Sequence, residues 1–469
     1  MKKSDIGLIG LGTMGAMLAL NIAEKGFRIS VFNRTTATTR AFSETAGQLK
    51  NIIIPCEKLE DLVATIEKPR AIILMVPAGS TVDEQITALQ PLLDDYDMII
   101  DAGNANFHDT NRRAAYAART GTLFLGVGVS GGEKGARFGP SIMGGGAKPS
   151  WDRVSHILEA ISAKYDATPC AAWVGEGGAG HFVKTVHNGI EYADMQMIAE
   201  IYGVMRDGMR LSAKEISEIF ARWNTGPLQS YLIEISSKIS ATEDPQTKRP
   251  ILDLILDRAG QKGTGRWTAI EAQHLAAPIP VIEAAVTARN LSAKLEVRQK
   301  GESLFGAASK KLPHGSLDLD DLEAALIAGK VLCYTQGFAL LSSANANFGW
   351  SLPLSDIAKV WRKGCIIRSS MLSDMASALS EEPDRNLMFA PFFRDILKSN
   401  TSHLRRVAAT AMSNGIPVPA LGSALSYFDM MRTVRSTANM IQAQRDFFGA
   451  HSFERIDKEG AYNGPWGDY

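Results

Sequence analysis

The chain has 469 residues, of which 45% are hydrophobic, and its 50 Lys and Arg residues are balanced by 50 Asp and Glu residues. Such a length suggests about three folding units. Nucleic-acid-binding proteins normally show a basic excess or a basic face, so the balanced charge disfavours that class and we expect no nucleic-acid partner. The N-terminus lacks the apolar stretch of a signal peptide and no uninterrupted apolar run has membrane length, so we expect no membrane partner.

The cysteines and histidines show no pattern that is typical of a metal site. The four cysteines are far apart and form no CxxC pair, and the eight histidines show no HExxH or similar ligand spacing. We therefore predict no metal site. We also expect unpaired thiols, as in the reducing cytoplasm.

Residues 1–178 alternate short apolar runs with helical patterns. Several runs are rich in Ile and Val, which is typical of strands that are buried on both faces. The predicted strands are Ile6–Ile9, Ile29–Phe32, Ala71–Val76, Met98–Asp101, Leu123–Gly128 and Ala171–Val174. Their alternation with helices predicts an α/β, Rossmann-like N-terminal domain with a parallel, doubly wound sheet.

The first predicted strand runs into a glycine-rich turn, Gly10-Leu11-Gly12-Thr13-Met14-Gly15. In such a turn the first glycine permits the tight bend, the second lets the backbone approach a pyrophosphate, and the third allows close helix–strand packing. The N-terminus of the following helix offers free N–H groups and a positive dipole end to phosphates. We therefore predict that these six residues bind a dinucleotide. A glycine-rich turn without a ligand is the alternative.

The end of the second predicted strand distinguishes NAD from NADP. NAD sites usually carry Asp or Glu about twenty residues after the glycine turn, where it holds the ribose 2′-hydroxyl. This chain has Asn33-Arg34-Thr35 instead. Arg34 can pair with a 2′-phosphate, and Asn33 and Thr35 can add hydrogen bonds, so we predict NADP. The alternative is that Arg34 is a solvated loop residue.

Residues 179–440 lose the strand-like runs and show long helical periodicities, which predicts a large all-α domain. Within it, Leu211–Asn224 resembles Leu352–Cys365. We interpret the likeness as an internal duplication, the alternative being two unrelated amphipathic helices. Residues 441–469 end in a stretch rich in Gly and aromatic residues that is too short for a core of its own. We predict a tail that docks on a partner subunit, and a frayed terminus is the alternative.

Polar side chains recur on one face near the start of this helical region. Lys184, His187, Asn188, Glu191 and Tyr192 follow the spacing i, i+3, i+4, i+7 and i+8, which places them side by side on a helix. A solvated face is the alternative, although such faces usually carry Lys, Glu and Arg rather than His, Asn and Tyr. A Lys and a Glu on one face can perform acid–base chemistry when burial and neighbours shift their pKa values.

A series of motifs follows along nearly the whole chain. They are Val129–Glu133, Gly139–Met143, Lys184–Tyr192, Lys262–Thr268 and Gln442–His451. Together they resemble the motifs of the decarboxylating 6-phosphogluconate dehydrogenases. The resemblance implies a homodimer in which the tail of one subunit enters the other. It also implies oxidative decarboxylation of 6-phospho-D-gluconate to D-ribulose 5-phosphate and CO2, with reduction of NADP, in the pentose phosphate pathway.

The resemblance also implies roles for individual residues. Lys184 would be the general base that takes the proton of the substrate 3-hydroxyl, and Glu191 would protonate C1 after loss of CO2. The implied substrate-binding residues are Asn104, Ser130, Gly131, Gly132, His187, Asn188, Tyr192, Lys262 and Arg289, with Arg445 and His451 supplied by the partner subunit. The strand-end residues Val76, Pro77 and Ala78 would contact the cofactor, as would Asn104.

Two positions depart from the family pattern. Pro77 stands where Lys is usual, which removes a charge and a backbone N–H, and Ala102 stands where Gly is usual. We expect the first to affect cofactor affinity and the second to place a methyl group beside the cofactor. Two other functions remain open: another β-hydroxyacid dehydrogenase, such as one acting on 3-hydroxyisobutyrate, and a non-catalytic NADP-binding protein of the same fold.

Overall fold

The computed structural model describes residues 2–308 and 310–467. The strands are β1 (Ile6–Ile9), β2 (Ile29–Phe32), β3 (Ile53–Cys56), β4 (Ala71–Leu74), β5 (Met98–Asp101), β6 (Leu123–Ser130), β7 (Ser141–Gly145), β8 (Lys164–Tyr165), β9 (Thr168–Pro169), β10 (Ala171–Gly175), β11 (Phe453–Glu454) and β12 (Ala461–Tyr462). The helices are α1 (Thr13–Glu24), α2 (Thr36–Thr45), α3 (Leu59–Thr65), α4 (Ser80–Leu89), α5 (Phe107–Arg119), α6 (Gly132–Phe138), α7 (Lys148–Ile161), α8 (Ala179–Gly203), α9 (Ala213–Trp223), α10 (Tyr231–Ala241), α11 (Thr264–His274), α12 (Pro280–Ser292), α13 (Leu295–Phe305), α14 (Leu319–Phe348), α15 (Leu354–Val360), α16 (Met371–Glu381), α17 (Pro391–Ser413), α18 (Pro419–Met431) and α19 (Ala438–Gly449).

Eight of the strands form one sheet in the order β10-β7-β6-β5-β4-β1-β2-β3, which confirms the Rossmann-like α/β architecture. The sheet is not wholly parallel as predicted, because β6 and β7 pair antiparallel. A parallel crossover needs about a dozen residues or more. Only α6 and a few loop residues separate Ser130 from Ser141, so the chain turns straight back beside β6.

Two strands of the sheet, β3 and β7, were not predicted. Pro55 interrupts the apolar run of β3, and the strand tolerates it because β3 lies at the sheet edge. The sequence of β7 ends in Gly144 and Gly145, which have low strand propensity. Gly144 is nevertheless required, since a Cβ atom there would lie 2.1 Å from the ring of Trp151.

The topology creates a crevice at the carboxyl end of β1. This strand pairs with β2 on one side and with β4 on the other, in registers that align Ile9 with Phe32 and with Leu74. Connections that leave a sheet in opposite directions form the crevice in which doubly wound folds bind ligands. The glycine turn, residues 33–35 and residues 75–79 therefore meet at one place.

The helical part is arranged around α8 and α14, which contain 25 and 30 residues. Helix α8 is a long helix that is followed by the shorter helices α9 and α10, and α14 is likewise followed by the shorter helices α15 and α16. This succession agrees with the inferred duplication. The side chains of Lys330 and Asp194 join the two long helices through a buried ion pair with N–O distances of 2.7 Å. Helix α14 is long and apolar enough to cross a membrane, but its most hydrophobic window is 89% buried, as expected of a core helix.

Helix α8 begins directly behind the sheet and packs against it without intervening side chains. A Cβ atom on Gly180 would lie 2.4 Å from the carbonyl oxygen of Gly126, so glycine is needed for this approach. One turn later, a Cβ atom on Gly128 would lie 2.5 Å from Cβ of Lys184. The beginning of α8, and with it Lys184, is therefore pressed against β6.

The C-terminal segment folds onto itself among the residues that are described. Strands β11 and β12 form a small antiparallel hairpin after α19. The buried carboxylate of Asp446 accepts hydrogen bonds from the backbone N–H groups of Ser452 and Gly464, each at 2.8 Å, and from Nε1 of Trp466 at 2.7 Å. These contacts give the segment a local fold, and its docking on a partner subunit stays a prediction. Its last two residues, Asp468 and Tyr469, lie outside the described residues.

Candidate active site

The glycine turn has the geometry that a dinucleotide needs. Gly10 has a φ of +101°, and a Cβ atom there would lie 2.4 Å from the Met75 carbonyl oxygen; one on Gly15 would lie 1.9 Å from that of Gly10. A Cβ atom on Gly12 would meet no protein atom within 4 Å. Gly12 therefore faces open space, and no side chain caps the first turn of α1. Its free N–H groups fit a pyrophosphate.

The turn lines a cleft of about 670 Å³, which we call the cofactor cleft. The cleft brings together predicted cofactor residues from three loops and two residues of the Lys262–Thr268 motif. Its lining comprises Gly12, Thr13, Met14, Gly15, Met75, Val76, Pro77, Ala78, Gly79, Gly103, Asn104, Asn106, Asp109, Lys262 and Trp267. Lys262, predicted to bind substrate, thus lies at the cofactor side of the site.

The end of β2 is tied to the glycine turn. Oδ1 of Asn33 accepts a hydrogen bond from the backbone N–H of Leu11 at 3.0 Å, so the Asn33 side chain holds the backbone of the turn in place. Arg34 and Thr35 are exposed beside it, and Arg34 makes no hydrogen bond or ion pair with any residue that the structure describes. A guanidinium in this position is free to pair with a phosphate group.

A buried arginine that the sequence analysis missed holds the loops around the cleft. Arg113 is 2% exposed and donates from Nη2 to the carbonyl oxygen of Gly79 at 2.9 Å and from Nε to Asp83 at 2.9 Å. Its Nη1 lies 3.5 Å from the carboxylate of Asp101, just before Asn104. No local pattern distinguishes Arg113 from a surface arginine of α5.

Ala102 is buried in the apolar core, so its methyl group is accommodated away from the cleft.

The polar face of α8 is buried, which excludes a solvated face. Lys184 is 6% exposed and His187 is fully buried. Nζ of Lys184 lies 3.4 Å from Nδ1 of His187 and donates a hydrogen bond to Oδ1 of Asn188. Nε2 of His187 lies 3.2 Å from Oγ of Ser130, at the end of β6. Nδ2 of Asn188 donates to Thr264 at 2.9 Å. Strand β6 and helix α11 thus enclose the face.

Burial shifts the pKa values of the central groups in directions suited to proton transfer. It lowers the pKa of Lys184, against the opposing charge of Glu191. It raises the pKa of Glu191, although the cations Lys184 and Arg289 oppose this. Burial and the neighbouring Lys184 lower the pKa of His187 well below its usual range. Burial thus shifts each equilibrium toward the neutral amine, the protonated carboxyl group and the neutral imidazole.

The predicted phosphate-binding residues are only partly brought together. The guanidinium of Arg289 lies 3.7 Å above the ring of Tyr192, one helical step beyond Glu191. The residues predicted at the carboxylate end follow β6. Gly131 has a φ of +119°, and a Cβ atom there would lie 2.4 Å from the carbonyl oxygen of Gly364. A Cβ atom on Gly132 would meet nothing within 4 Å. Gly132 is therefore open to a ligand.

Arg445 and His451 lie on the C-terminal segment and are exposed. Nη1 of Arg445 donates to Oε1 of Gln442 at 3.2 Å, and the ring of His451 lies 6.0 Å from that of Phe448. Within the described chain, no hydrogen bond or ion pair joins either residue to the polar face of α8. The sequence analysis also missed Thr264 and Trp361, whose ring lies 5.7 Å from that of His187.

These features define a class: a dinucleotide-binding protein with a Rossmann-type sheet and a helical part that presents a buried lysine and a half-buried glutamate on one helix face. Comparison with known families is more specific. Residues 5–175 match the NAD binding domain of 6-phosphogluconate dehydrogenase, and residues 180–466 match the C-terminal domain of the same enzyme. The chain belongs to the 6-phosphogluconate dehydrogenase family.

Relatives and a solved structure agree over the full length. The NADP(+)-dependent, decarboxylating 6-phosphogluconate dehydrogenase of Bacillus subtilis (strain 168) is 46% identical over 99% of this chain and 100% of its own length. The NAD(+)-dependent enzyme of the same organism is 45% identical with the same coverage. The structure of Plasmodium falciparum 6-phosphogluconate dehydrogenase, described in its apo form and in complexes with NADP+ and with 6-phosphogluconate, is 41% identical, has a TM-score of 0.95, and covers 98% of this chain and 100% of its own.

Proposed function

We propose that the chain catalyses the oxidative decarboxylation of 6-phospho-D-gluconate to D-ribulose 5-phosphate and CO2, reducing NADP to NADPH, as a step of the pentose phosphate pathway. The observation that carries this proposal is the buried Lys184 with the half-buried Glu191 on the same face of α8. The pKa of the first is lowered and that of the second is raised, toward a neutral amine and a neutral acid. Full-length relatives with this activity in their names support it.

NADP is the proposed cofactor. The two Bacillus subtilis relatives have nearly equal identity but different cofactors in their names, so overall similarity alone does not choose between NADP and NAD. The local chemistry favours NADP, because Arg34 is exposed and unpaired within the described residues and no carboxylate repels a 2′-phosphate at Asn33-Arg34-Thr35. Residues Gly10 to Gly15, Val76 to Ala78 and Asn104 would hold the rest of the cofactor.

The first chemical step needs a base at the substrate 3-hydroxyl. NADP, when bound, accepts the hydride from C3. Lys184 takes the hydroxyl proton, for which its amine must be neutral; burial against β6 favours that form. His187 and Asn188 contact the amine and hold it in one position. The product of this step is a 3-keto acid.

The second step is loss of CO2 from the 3-keto acid. The C3 carbonyl takes up the electron pair of the breaking bond, so the substrate provides its own electron sink. Lys184, now an ammonium ion, returns a proton to the carbonyl oxygen and yields an enediol. Glu191, whose carboxyl pKa is raised by burial, then protonates the carbon that lost CO2, which becomes C1 of the product. Lys184 takes back the proton of the enol oxygen as the C2 carbonyl group of the product forms. The result is ribulose 5-phosphate.

The two anionic ends of the substrate would be held by different groups. Ser130, Gly131 and Gly132, with His187 and Asn188, would bind the carboxylate end, while Asn104 would touch both substrate and cofactor. Tyr192, Lys262 and Arg289 would bind the phosphate. The exposed Gly132 and the guanidinium of Arg289 above Tyr192 support these roles.

We infer a homodimer in which the tail, residues 441–469, completes the partner's site with Arg445 and His451. Both residues are exposed on the tail. The tail also exposes apolar side chains that a partner subunit would cover: Ile441 is 58% and Phe448 is 73% exposed.

The domains have different proposed roles: residues 1–178 bind NADP, and residues 179–440 bind the substrate and form the dimer. The four cysteines are buried and unpaired, which supports a cytoplasmic location.

The decisive assay offers the protein NADP with either 6-phosphogluconate or unphosphorylated β-hydroxyacids such as 3-hydroxyisobutyrate. We expect NADPH and CO2 with 6-phosphogluconate only. Turnover confined to unphosphorylated acids would assign the chain to another β-hydroxyacid dehydrogenase activity. NADP binding without turnover of any acid would instead identify a non-catalytic binding protein.

A further inference from the structure

One group of potential metal ligands lies outside the proposed reaction site. It consists of His108 on α5 and of Glu271 and His274 on α11. His108 is separated from Glu271 by 163 positions, so linear spacing predicted no metal site here. We propose that these three side chains form a site for a divalent transition-metal ion of the zinc type, which joins the two helices at the rim of the cofactor cleft.

The geometry is that of a nearly formed site. The candidate ligand atoms of the three side chains all lie within 4.8 Å of one another. Nε2 of His108 is 3.0 Å from Oε1 of Glu271, and Nδ1 of His274 is 3.6 Å from Oε2. Zinc binds such atoms at about 2.0–2.2 Å. The two histidine side chains are 55% and 66% exposed and can rotate to close around an ion.

A second observation points independently to a missing ligand. Glu271 is 3% exposed, and its Oε2 atom is buried without any hydrogen-bond partner among the described residues. A buried carboxylate oxygen without a partner costs free energy, and native proteins rarely leave one. Nδ1 of His274 lies 3.6 Å from Oε2, which is beyond hydrogen-bond distance. An ion between the three side chains satisfies the oxygen.

The donor set selects the class of ion. Two imidazoles and one carboxylate suit zinc and neighbouring transition metals, whereas magnesium and calcium prefer oxygen ligands throughout. Zinc is usually four-coordinate, so three protein ligands leave one position open. Both histidines are exposed to solvent, so water can occupy that position.

The location gives the ion a structural consequence. His108 lies between Asn106 and Asp109, which line the cofactor cleft from the sheet side, and α11 contributes Trp267 from the helical side. An ion held by His108 and by the two α11 ligands therefore ties the walls of the cleft together. Binding requires only these three side chains and is independent of the dehydrogenase reaction.

Titration of untagged, metal-free, full-length protein with Zn²⁺ by calorimetry, and with Co²⁺ by visible absorption, tests the site. We expect one ion per chain, an intense Co²⁺ spectrum typical of four-coordination, and a Zn²⁺-dependent rise in Tm. His108→Asn and His274→Asn should each weaken Zn²⁺ binding by at least about tenfold, since loss of even an outer-sphere partner costs about that much. His274→Asn should keep the metal-free Tm of the unmodified chain, whereas His108→Asn should lower it, because it removes the hydrogen bond to Oε1 of Glu271.

His314→Asn is the matched control, because His314 is exposed and lies outside the cluster. It should bind Zn²⁺ like the unmodified chain. The proposal is overturned if the unmodified chain binds no Zn²⁺, or if the two cluster variants bind it as tightly as the His314→Asn control, since the ion would then bind elsewhere.

Discussion

Replacing Lys184 by methionine removes the proposed base while keeping most of the buried volume. General acid–base catalysis contributes about 100-fold to 10,000-fold, which corresponds to about 3–5 kcal/mol of barrier. Lys184 serves both proposed steps, so whichever step limits turnover should slow by at least that lower figure. NADP should bind as before, because the amine contacts His187 and Asn188 and does not line the cofactor cleft. The assays are steady-state kcat and equilibrium titration with NADP.

The same variant also makes a stability prediction. Burial lowers the pKa of Lys184 in the folded chain, so the folded state disfavours the ammonium ion. The free-energy cost of burying this group is absent above the pKa that the lysine has in the unfolded chain. It grows as the pH falls from there toward the lower pKa of the folded chain. At neutral pH the methionine variant should therefore be at least as stable as the unmodified chain.

The kinetic result decides the role of Lys184. The expected loss in kcat is at least about 100-fold, so a variant that retains more than about a tenth of kcat would refute the assignment of Lys184 as base.

A second buried lysine provides the matched control. Lys330→Met removes the partner of Asp194, a residue that is 1% exposed. Breaking a buried ion pair costs about 3–5 kcal/mol of unfolding free energy. Urea denaturation should show that loss in Lys330→Met and not in Lys184→Met. Equal losses in both variants would mean that Lys184, too, is a structural residue.

Three further predictions follow from the site and from one buried acid. Glu191→Gln should lose at least about 100-fold in steady-state turnover through the missing C1 proton donor, yet keep a pre-steady-state burst of NADPH; loss of the burst would contradict its late role. Arg34→Ala should weaken NADP binding by about 10–100-fold, the equivalent of a charged hydrogen bond, and leave NAD binding unchanged. The control is Arg40→Ala, because Arg40 is an exposed arginine on α2. An unchanged ratio of NADP to NAD affinity would exclude Arg34 as the phosphate contact. Burial raises the pKa of Glu200 to about 7, so its contribution to stability is complete below the unfolded pKa and lost as the pH rises toward 7. Urea denaturation between pH 5 and pH 8 should show a fall on the order of 3 kcal/mol that Glu200→Gln abolishes; a Gln variant with the same pH dependence would show that another group titrates.

Features encoded by local spacing were predictable from the sequence. The turn from Gly10 to Gly15 and the polar face from Lys184 to Tyr192 depend on neighbours within a few positions, and the structure places both as expected. The strands β3 and β7 were missed because Pro55 and Gly144 contradict strand propensity, and tertiary packing overrides that preference. The antiparallel turn after β6 likewise depends on connection length rather than on pattern.

Features that depend on contacts between distant segments were not predictable. Arg113 reaches Gly79 and Asp83 across about thirty positions, and nothing in its own helix marks it as buried. His108 meets Glu271 only because α5 and α11 flank the same cleft. The burial that shifts the pKa values of Lys184 and Glu191 is also a property of the folded chain, since spacing alone left a solvated face as an alternative.

Steady-state kinetics with 6-phosphogluconate and each dinucleotide tests the proposed NADP-dependent oxidative decarboxylation. With CO2 measured in parallel, we expect one CO2 per NADPH. We also expect a kcat/KM for NADP at least about tenfold above that for NAD, the lower bound for a charged contact at Arg34. Reduction of NADP without CO2 release, or an equal or higher kcat/KM with NAD, would contradict the proposal.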